Sequence, residues 1–263
     1  MDGLRRNLAR LARYRGLLWI LSSSELKARH RQTVLGLLWA VAQPLSMMLV
    51  FTVVFSVFVR VPVEGAPYAL FAFTGLWAWQ FFSSALSQGL TSVVASINLI
   101  TKASFPREVL PLSKVLIVGV DFLIGGVVLA CLMVFFGLPF RASLLAVPAI
   151  VGIHLIFTVG LALLCSALYV LKRDVGSLLP LGLQIWMFLS PVVYPVSLIP
   201  EAYRSLYMLN PMAMIVEAYR GAILFGTVPP AGLLAPALVV ALGTLAVGYA
   251  YFKAVELRFA DVM

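Results

Sequence analysis

The chain has 263 residues, of which 62% are hydrophobic and 11% charged, with a formal net charge of +9. A soluble domain is about a quarter charged. A fold of this length cannot hide so much apolar surface behind so few charges, so the bilayer must be the solvent for most of a single membrane domain. Eight of the 19 Lys and Arg precede position 32, which in so apolar a chain marks the cytoplasmic flank of a span and not a nucleic-acid surface.

Residues 1–33 form a basic arm, and 34–263 a membrane domain. Residues 4–21 have the period of a surface helix. At 100° per residue, Leu4, Leu8, Leu11 and Leu18 fall within about 80° of one another, with Arg6, Arg10 and Arg13 opposite. That pattern suits a helix lying in the interface, its leucines in lipid and its arginines among headgroups. Ser22 and Glu25 have the S-x-x-E spacing of a capping box, which predicts a second helix starting there. The first long apolar run comes only after this polar stretch, so no secretory signal peptide is expected.

Six runs are long enough to cross a bilayer of about 30 Å, which takes about 20 helical residues. They are Leu35–Val59, Tyr68–Leu90, Val115–Phe136, Leu144–Leu171, Leu178–Val196 and Leu233–Phe252. Placing the basic arm in the cytoplasm puts Lys102, Arg107, Lys114, Lys172, Arg173, Lys253 and Arg258 on the same side. Only Arg60, Arg141, Arg204 and Arg220 remain outside, in accord with the positive-inside rule. Both termini are therefore expected in the cytoplasm.

Residues 199–225 break the pattern, being interrupted by Pro200, Asn210-Pro211 and the pair Glu217 and Arg220. A seventh crossing would put Lys253 and Arg258 outside. Two short helices that dip in and return, hinged at Asn210 and Pro211, fit better. Irregular backbone at membrane depth survives only where protein buries it or water lines it, so this hairpin is a candidate wall of a pore mouth.

No G-x-x-x-x-G-K-[ST], H-E-x-x-H, paired-cysteine motif or G-x-S-x-G occurs. The chain therefore offers no ATP-binding loop, no metal site and no enzyme active site. Cys131 and Cys165 lie inside apolar runs and read as packing residues. His154 stands alone in the fourth span. Asp121 is an acid well inside the third span, with Lys114 two turns below on the same face as a partial partner. Such a carboxylate suits either structural pairing or ion coupling.

Aromatic rings are the other constellation. Trp39, Phe51, Phe55 and Phe58 fall in the first span, and Trp186, Phe188 and Tyr194 in or beside the fifth. Rings stack on the apolar faces of sugars and are tolerated in a membrane. They equally suit lipid contact or an interfacial belt. In the loop after the second span, Asn98, Thr101 and Ser104 alternate with Leu99, Ile100 and Phe105, and Pro106 follows. This predicts a short amphipathic helix able to lie in a partner's groove or to dip into lipid.

Four strings now carry a resemblance. Glu25–Arg60 (ELKARHRQTVLGLLWAVAQPLSMMLVFTVVFSVFVR), Lys102–Leu116 (KASFPREVLPLSKVL), Arg173–Pro195 (RDVGSLLPLGLQIWMFLSPVVYP) and Ile199–Met212 (IPEAYRSLYMLNPM) are similar, in order, to the ABC-2 type permeases that export O-antigen and related polysaccharides. Teichoic acid and capsule permeases are near relatives. The resemblance implies an all-α homodimer of six-span subunits in the bacterial inner membrane. Each subunit would be paired with a separate ATPase that binds ATP and magnesium, this chain holding no cofactor. The implied cargo is a polysaccharide on a polyprenyl pyrophosphate carrier.

The resemblance further implies that spans 1 and 5 line the channel and that the hairpin with Asn210, Pro211, Glu217 and Arg220 caps the outer mouth. The loop with Asn98, Leu99, Ile100, Thr101, Lys102, Phe105 and Arg107 would dock on the ATPase, with Phe105 as anchor. Arg29, His30 and Arg31 stand where a pyrophosphate headgroup would enter, and their charge suits its oxygens. It equally suits topogenesis and anionic lipid. An ion-coupled carrier using Asp121 and an ABC-2 permease for another cargo are the competing functions.

Overall fold

A computed structural model describes residues 14–31, 38–63, 65–102 and 105–259, with side chains described except at 27–31 and 38–40. The arm before Tyr14 lies outside these residues. Among the described residues every regular element is helical. In chain order they are α1 (Arg15–Arg31), α2 (Leu38–Phe51), α3 (Tyr68–Ala95), α4 (Ile97–Lys102), α5 (Val109–Phe135), α6 (Val147–Leu171), α7 (Val175–Phe188), α8 (Glu201–Tyr207), α9 (Pro211–Arg220) and α10 (Ala231–Val255). Wider π turns continue α2 through Thr52–Phe58 and α9 through Gly221–Phe225.

Among the described residues five segments are long and apolar enough to cross a membrane: Val41–Phe58, Tyr68–Ala95, Val109–Phe135, Ala142–Leu171 and Ala231–Arg258. The expected fifth crossing, Leu178–Val196, is shorter than its apolar run. Helix α7 has 14 residues, about 21 Å at 1.5 Å each. It stops at Phe188 because Pro191 and Pro195 cannot continue the hydrogen-bond ladder, while the Ser190 hydroxyl donates back to the Trp186 carbonyl at 2.9 Å.

The capping box at Ser22 does not start a helix. Helix α1 runs through it unbroken, because its polar residues are engaged sideways. Ser22 donates to the Ser113 carbonyl of α5 at 3.4 Å, and Glu25 pairs with Lys114 of α5 at 2.5 Å. Lys114, expected as a partner of Asp121, is thus committed to Glu25.

Lipid tails are as apolar as leucine, so close backbone approach takes over the role that water exclusion has in soluble cores. Helices α6 and α10 meet at Gly160 and Gly248. A Cβ on Gly160 would overlap the backbone of Thr244 and Leu245, and one on Gly248 would overlap the Gly160 carbonyl. Helix α3 is the central strut, its apolar side chains buried against α2, α5, α6, α7 and α9. Trp77 of α3 stacks on Phe122 of α5 at 4.1 Å and 5°, and its indole N–H donates to the Phe122 carbonyl at 2.7 Å.

One end of the bundle gathers α1, α4, the ends of α6 and α10 and the segment up to Phe259 around a second apolar cluster. Ion pairs close it, with Lys253 Nζ 2.8 Å from Glu108 and 2.9 Å from Glu256. The opposite end joins the loop before α6 to the π turn after α9, where Arg141 donates to the Phe225 carbonyl at 2.8 Å and Ser143 to the Ala222 carbonyl at 2.7 Å. Helix α1, the loop after α3 and the segment up to Phe259 therefore share one end of the bundle.

Candidate transport pathway

The broken hairpin is densely hydrogen-bonded. Asn210 sits between α8 and α9 as a helix cap, and its side-chain oxygen accepts from the Met212 N–H at 3.0 Å. Pro211 follows at the first helical position, where its missing N–H costs nothing. The same oxygen accepts from the Trp186 indole at 2.9 Å. The amide nitrogen donates to the Leu189 carbonyl at 3.0 Å and the Ser190 hydroxyl at 2.8 Å. One asparagine thus caps α9 and ties it to the end of α7. Two helices hinged at Asn210 and Pro211 were expected, and they are found.

Arg220, at the other end of α9, is fully buried. Its guanidinium donates to the Pro191 and Val192 carbonyls and, at 3.3 Å, to the Phe71 carbonyl, and it pairs with Glu217 at 2.9 Å. Its Cζ lies 3.4 Å from the centre of the Phe71 ring. The carbonyls it collects belong to the non-helical turn after α7 and to α3. A buried charge is tolerated when most of its donors are engaged, and here both terminal nitrogens are, while Nε is buried without a partner. Gly75 completes the knot, since a Cβ there would overlap both the Val192 carbonyl and the guanidinium. Nearby, Tyr194 donates to the Phe188 carbonyl at 2.6 Å and meets the Tyr207 hydroxyl at 3.0 Å. Burial, then this hydrogen bond, push the Tyr207 phenol up.

The expected channel aromatics fall into two separate groups. Phe51 and Phe55 lie 5.9 Å apart and continue through Tyr68 to Phe71 at 6.4 and 6.0 Å. Trp186 instead packs edge-on against Trp79, Phe82 and Phe157 at 6.4, 5.1 and 6.1 Å. Phe58 and Phe188 are exposed, at 72% and 53%. The backbone of Trp39 lies in α2, and its side chain is outside the described residues. The same holds for Arg29, His30 and Arg31 in the last turn of α1.

The loop after α3 forms the expected short helix, α4. The role expected of Phe105 needs correction. Phe105 is only 8% exposed and, with Ile100, fills the chain's own apolar cluster beside Phe252 and Phe259. Arg107 is likewise turned inward, donating to the Glu256 carbonyl with its guanidinium 5.9 Å from the Phe259 ring. The loop is helical, as its period predicts, and Ile100 and Phe105 face this chain's own cluster. The exposed positions on α4 are Asn98, Thr101 and Lys102, with Leu99 half-buried.

Asp121 borders a cavity of about 100 Å³ between α2, α3 and α5, together with Gln43, Gln80, Ser84 and Gln88. The carboxylate stands out in the sequence because it is ionisable, whereas the neutral amides beside it do not. The signal was present, as Gln80, Ser84 and Gln88 are spaced four apart on one helix.

Residues 16–224 match the ABC-2 type transporter family. The chain belongs to that family. It is therefore a multi-pass transporter permease subunit. This permease is 33% identical over 253 residues to "O-antigen export system permease protein RfbA" of Myxococcus xanthus, covering 95% of this chain and 96% of that one. It is 31% identical over 248 residues to the protein of the same description from Klebsiella pneumoniae, covering 94% and 95%. "Polysialic acid transport protein KpsM" of Escherichia coli is more distant, at 22% over 233 residues, covering 88% and 90%.

Proposed function

We propose that this chain is the membrane-spanning subunit of an ATP-binding cassette exporter that carries lipid-linked, O-antigen-like polysaccharide across the bacterial inner membrane. The observation that carries this reading is similarity along nearly the whole chain to O-antigen export permeases. Capsule polysaccharide is the neighbouring cargo, given the weaker similarity to a polysialic acid transporter.

In this reading two copies assemble, with both termini in the cytoplasm. ATP and magnesium are bound by two copies of a separate ATPase subunit, since this chain has no phosphate-binding loop. The ATPase docks at the end of the bundle that holds α1, α4 and the segment up to Phe259. Asn98, Thr101 and Lys102 are the contacting face, and Phe105 stiffens α4 from behind. The carrier is a polyprenyl pyrophosphate, whose anionic headgroup suits Arg29, His30 and Arg31. The hairpin tied by Asn210 and Arg220 closes the outer mouth, and the exposed rings Phe58 and Phe188 offer faces to sugars. Family membership favours this mechanism over an ion-coupled carrier using Asp121.

Deleting the gene tests the reading. Polysaccharide should disappear from the cell surface while polyprenyl-linked glycan accumulates on the cytoplasmic side. Unchanged surface polysaccharide would refute it.

A further inference from the structure

Membrane helices that face lipid expose apolar side chains. Helix α5 does so with Leu116, Leu123, Val127, Val134 and Phe135. Helix α3 does the reverse. From Leu70 to Val93 every apolar side chain is buried, and the positions that are not are Gln80, Ser83, Ser84, Ser87, Gln88 and Thr91. Their spacing is that of a single helical stripe, about 16 Å long at 1.5 Å per residue. Such a pattern is expected of a helix facing water. Amides held against hydrocarbon lose their hydrogen bonds, at several kcal/mol for each unsatisfied group.

Ser83, Ser87 and Thr91 donate to the carbonyls of Gln80, Ser83 and Gln88 on their own helix, and Gln80 donates to the Ser84 hydroxyl at 2.9 Å. This uses the hydroxyl protons and leaves oxygen lone pairs along the open side. The stripe carries no charge to grip a moving chain.

We infer that the exposed stripe of α3 is a hydrated wall along which the sugar hydroxyls of the exported glycan hydrogen-bond. Rows of uncharged acceptors match hydroxyl donors at any register, so a long chain slides without being held at one point. Gln43 of α2 and Asp121 of α5 border the same cavity and extend the wall to both sides. This inference rests on the polysaccharide reading and adds a surface that the aromatic residues do not supply.

The test places single cysteines at Ser83, Ser87 and Thr91, with Leu123 and Val127 as lipid-facing controls, in a chain carrying Cys131→Ser and Cys165→Ser. A charged, water-soluble methanethiosulfonate reagent is applied to inverted membrane vesicles. One vesicle set comes from cells that make the glycan, the other from cells lacking the first glycosyltransferase. Thiolates form in water and not in hydrocarbon, so the stripe should react at least about tenfold faster than the controls. Glycan should slow the reaction of the stripe alone. Stripe positions as unreactive as Leu123→Cys would overturn the inference, as would labelling that ignores the glycan. A Ser87→Cys disulfide between two copies, with no labelling, would assign the face to dimer packing instead. Surface polysaccharide measured in the same strains separates the two failures. Normal export with a dry stripe removes only the wall, whereas export that never depends on the gene removes the function.

Discussion

Arg220 lies over the Phe71 ring, with its Cζ 3.4 Å from the ring centre, although the two residues are 149 positions apart. This contact joins the hairpin to the central helix. It also places a full positive charge where only carbonyls, one carboxylate and a π face can hold it. Arg220→Ala should cost about 3–5 kcal/mol, the range for breaking a buried charge network. Glu217→Gln should cost less, because the carbonyls remain. Heating detergent-solubilised protein and following the folded peak by size exclusion checks the order. Equal loss in both variants would mean that Glu217, and not the carbonyl set, holds the guanidinium.

Gly75 is occupied by its neighbours. Gly75→Ala should displace the Val192 turn and lower thermal stability, whereas Gly119→Ala meets no atom within 4 Å and should be silent. The same heating assay compares them. Indistinguishable midpoints would show that the hairpin and α3 do not pack this closely.

The aromatic residues divide by exposure. Phe55→Ala and Trp186→Ala remove rings that pack within the chain and should lower stability by about 3–5 kcal/mol. Phe58→Ala and Phe188→Ala remove exposed rings and should reduce export of surface polysaccharide with little change in stability. Normal export in both exposed-ring variants would assign those rings to lipid.

Docking on α4 gives opposite signatures on its two sides. Lys102→Glu should abolish co-purification of the ATPase while the permease stays folded. Phe105→Ala should lower stability by about 3–5 kcal/mol, as for other truncated core rings, and weaken ATPase binding only through that loss. ATPase capture unaffected by Lys102→Glu would move the contact to Lys172–Asp174 or to the arm.

Much of the fold was legible because the bilayer leaves few options. Apolar runs marked the long helices, and Pro200, Asn210 and Pro211 marked the hairpin. Less legible were features set by tertiary contact. Glu25 and Ser22 have the spacing of a cap but serve as cross-links to α5, and spacing cannot tell the two apart. Phe105 has the period of an amphipathic helix, which says that one side is apolar and not what covers it. Arg220 and Glu217 marked an interruption of the hairpin, but nothing local announces that Pro191, Val192 and Phe71 will converge on the guanidinium. The stripe from Gln80 to Thr91 is a pattern in the sequence, but its meaning depends on knowing that every apolar side chain from Leu70 to Val93 is buried.

ATP-driven transfer of a lipid-linked glycan is tested most directly in liposomes holding this permease with its ATPase and a fluorescent oligosaccharide on polyprenyl pyrophosphate, with appearance of the sugar on the opposite leaflet read by a membrane-impermeant lectin. Transfer should require ATP, proceed without any ion gradient and stop when the ATPase is left out. Transfer driven by a proton or sodium gradient alone, or ATP hydrolysis that moves no glycan, would contradict the account.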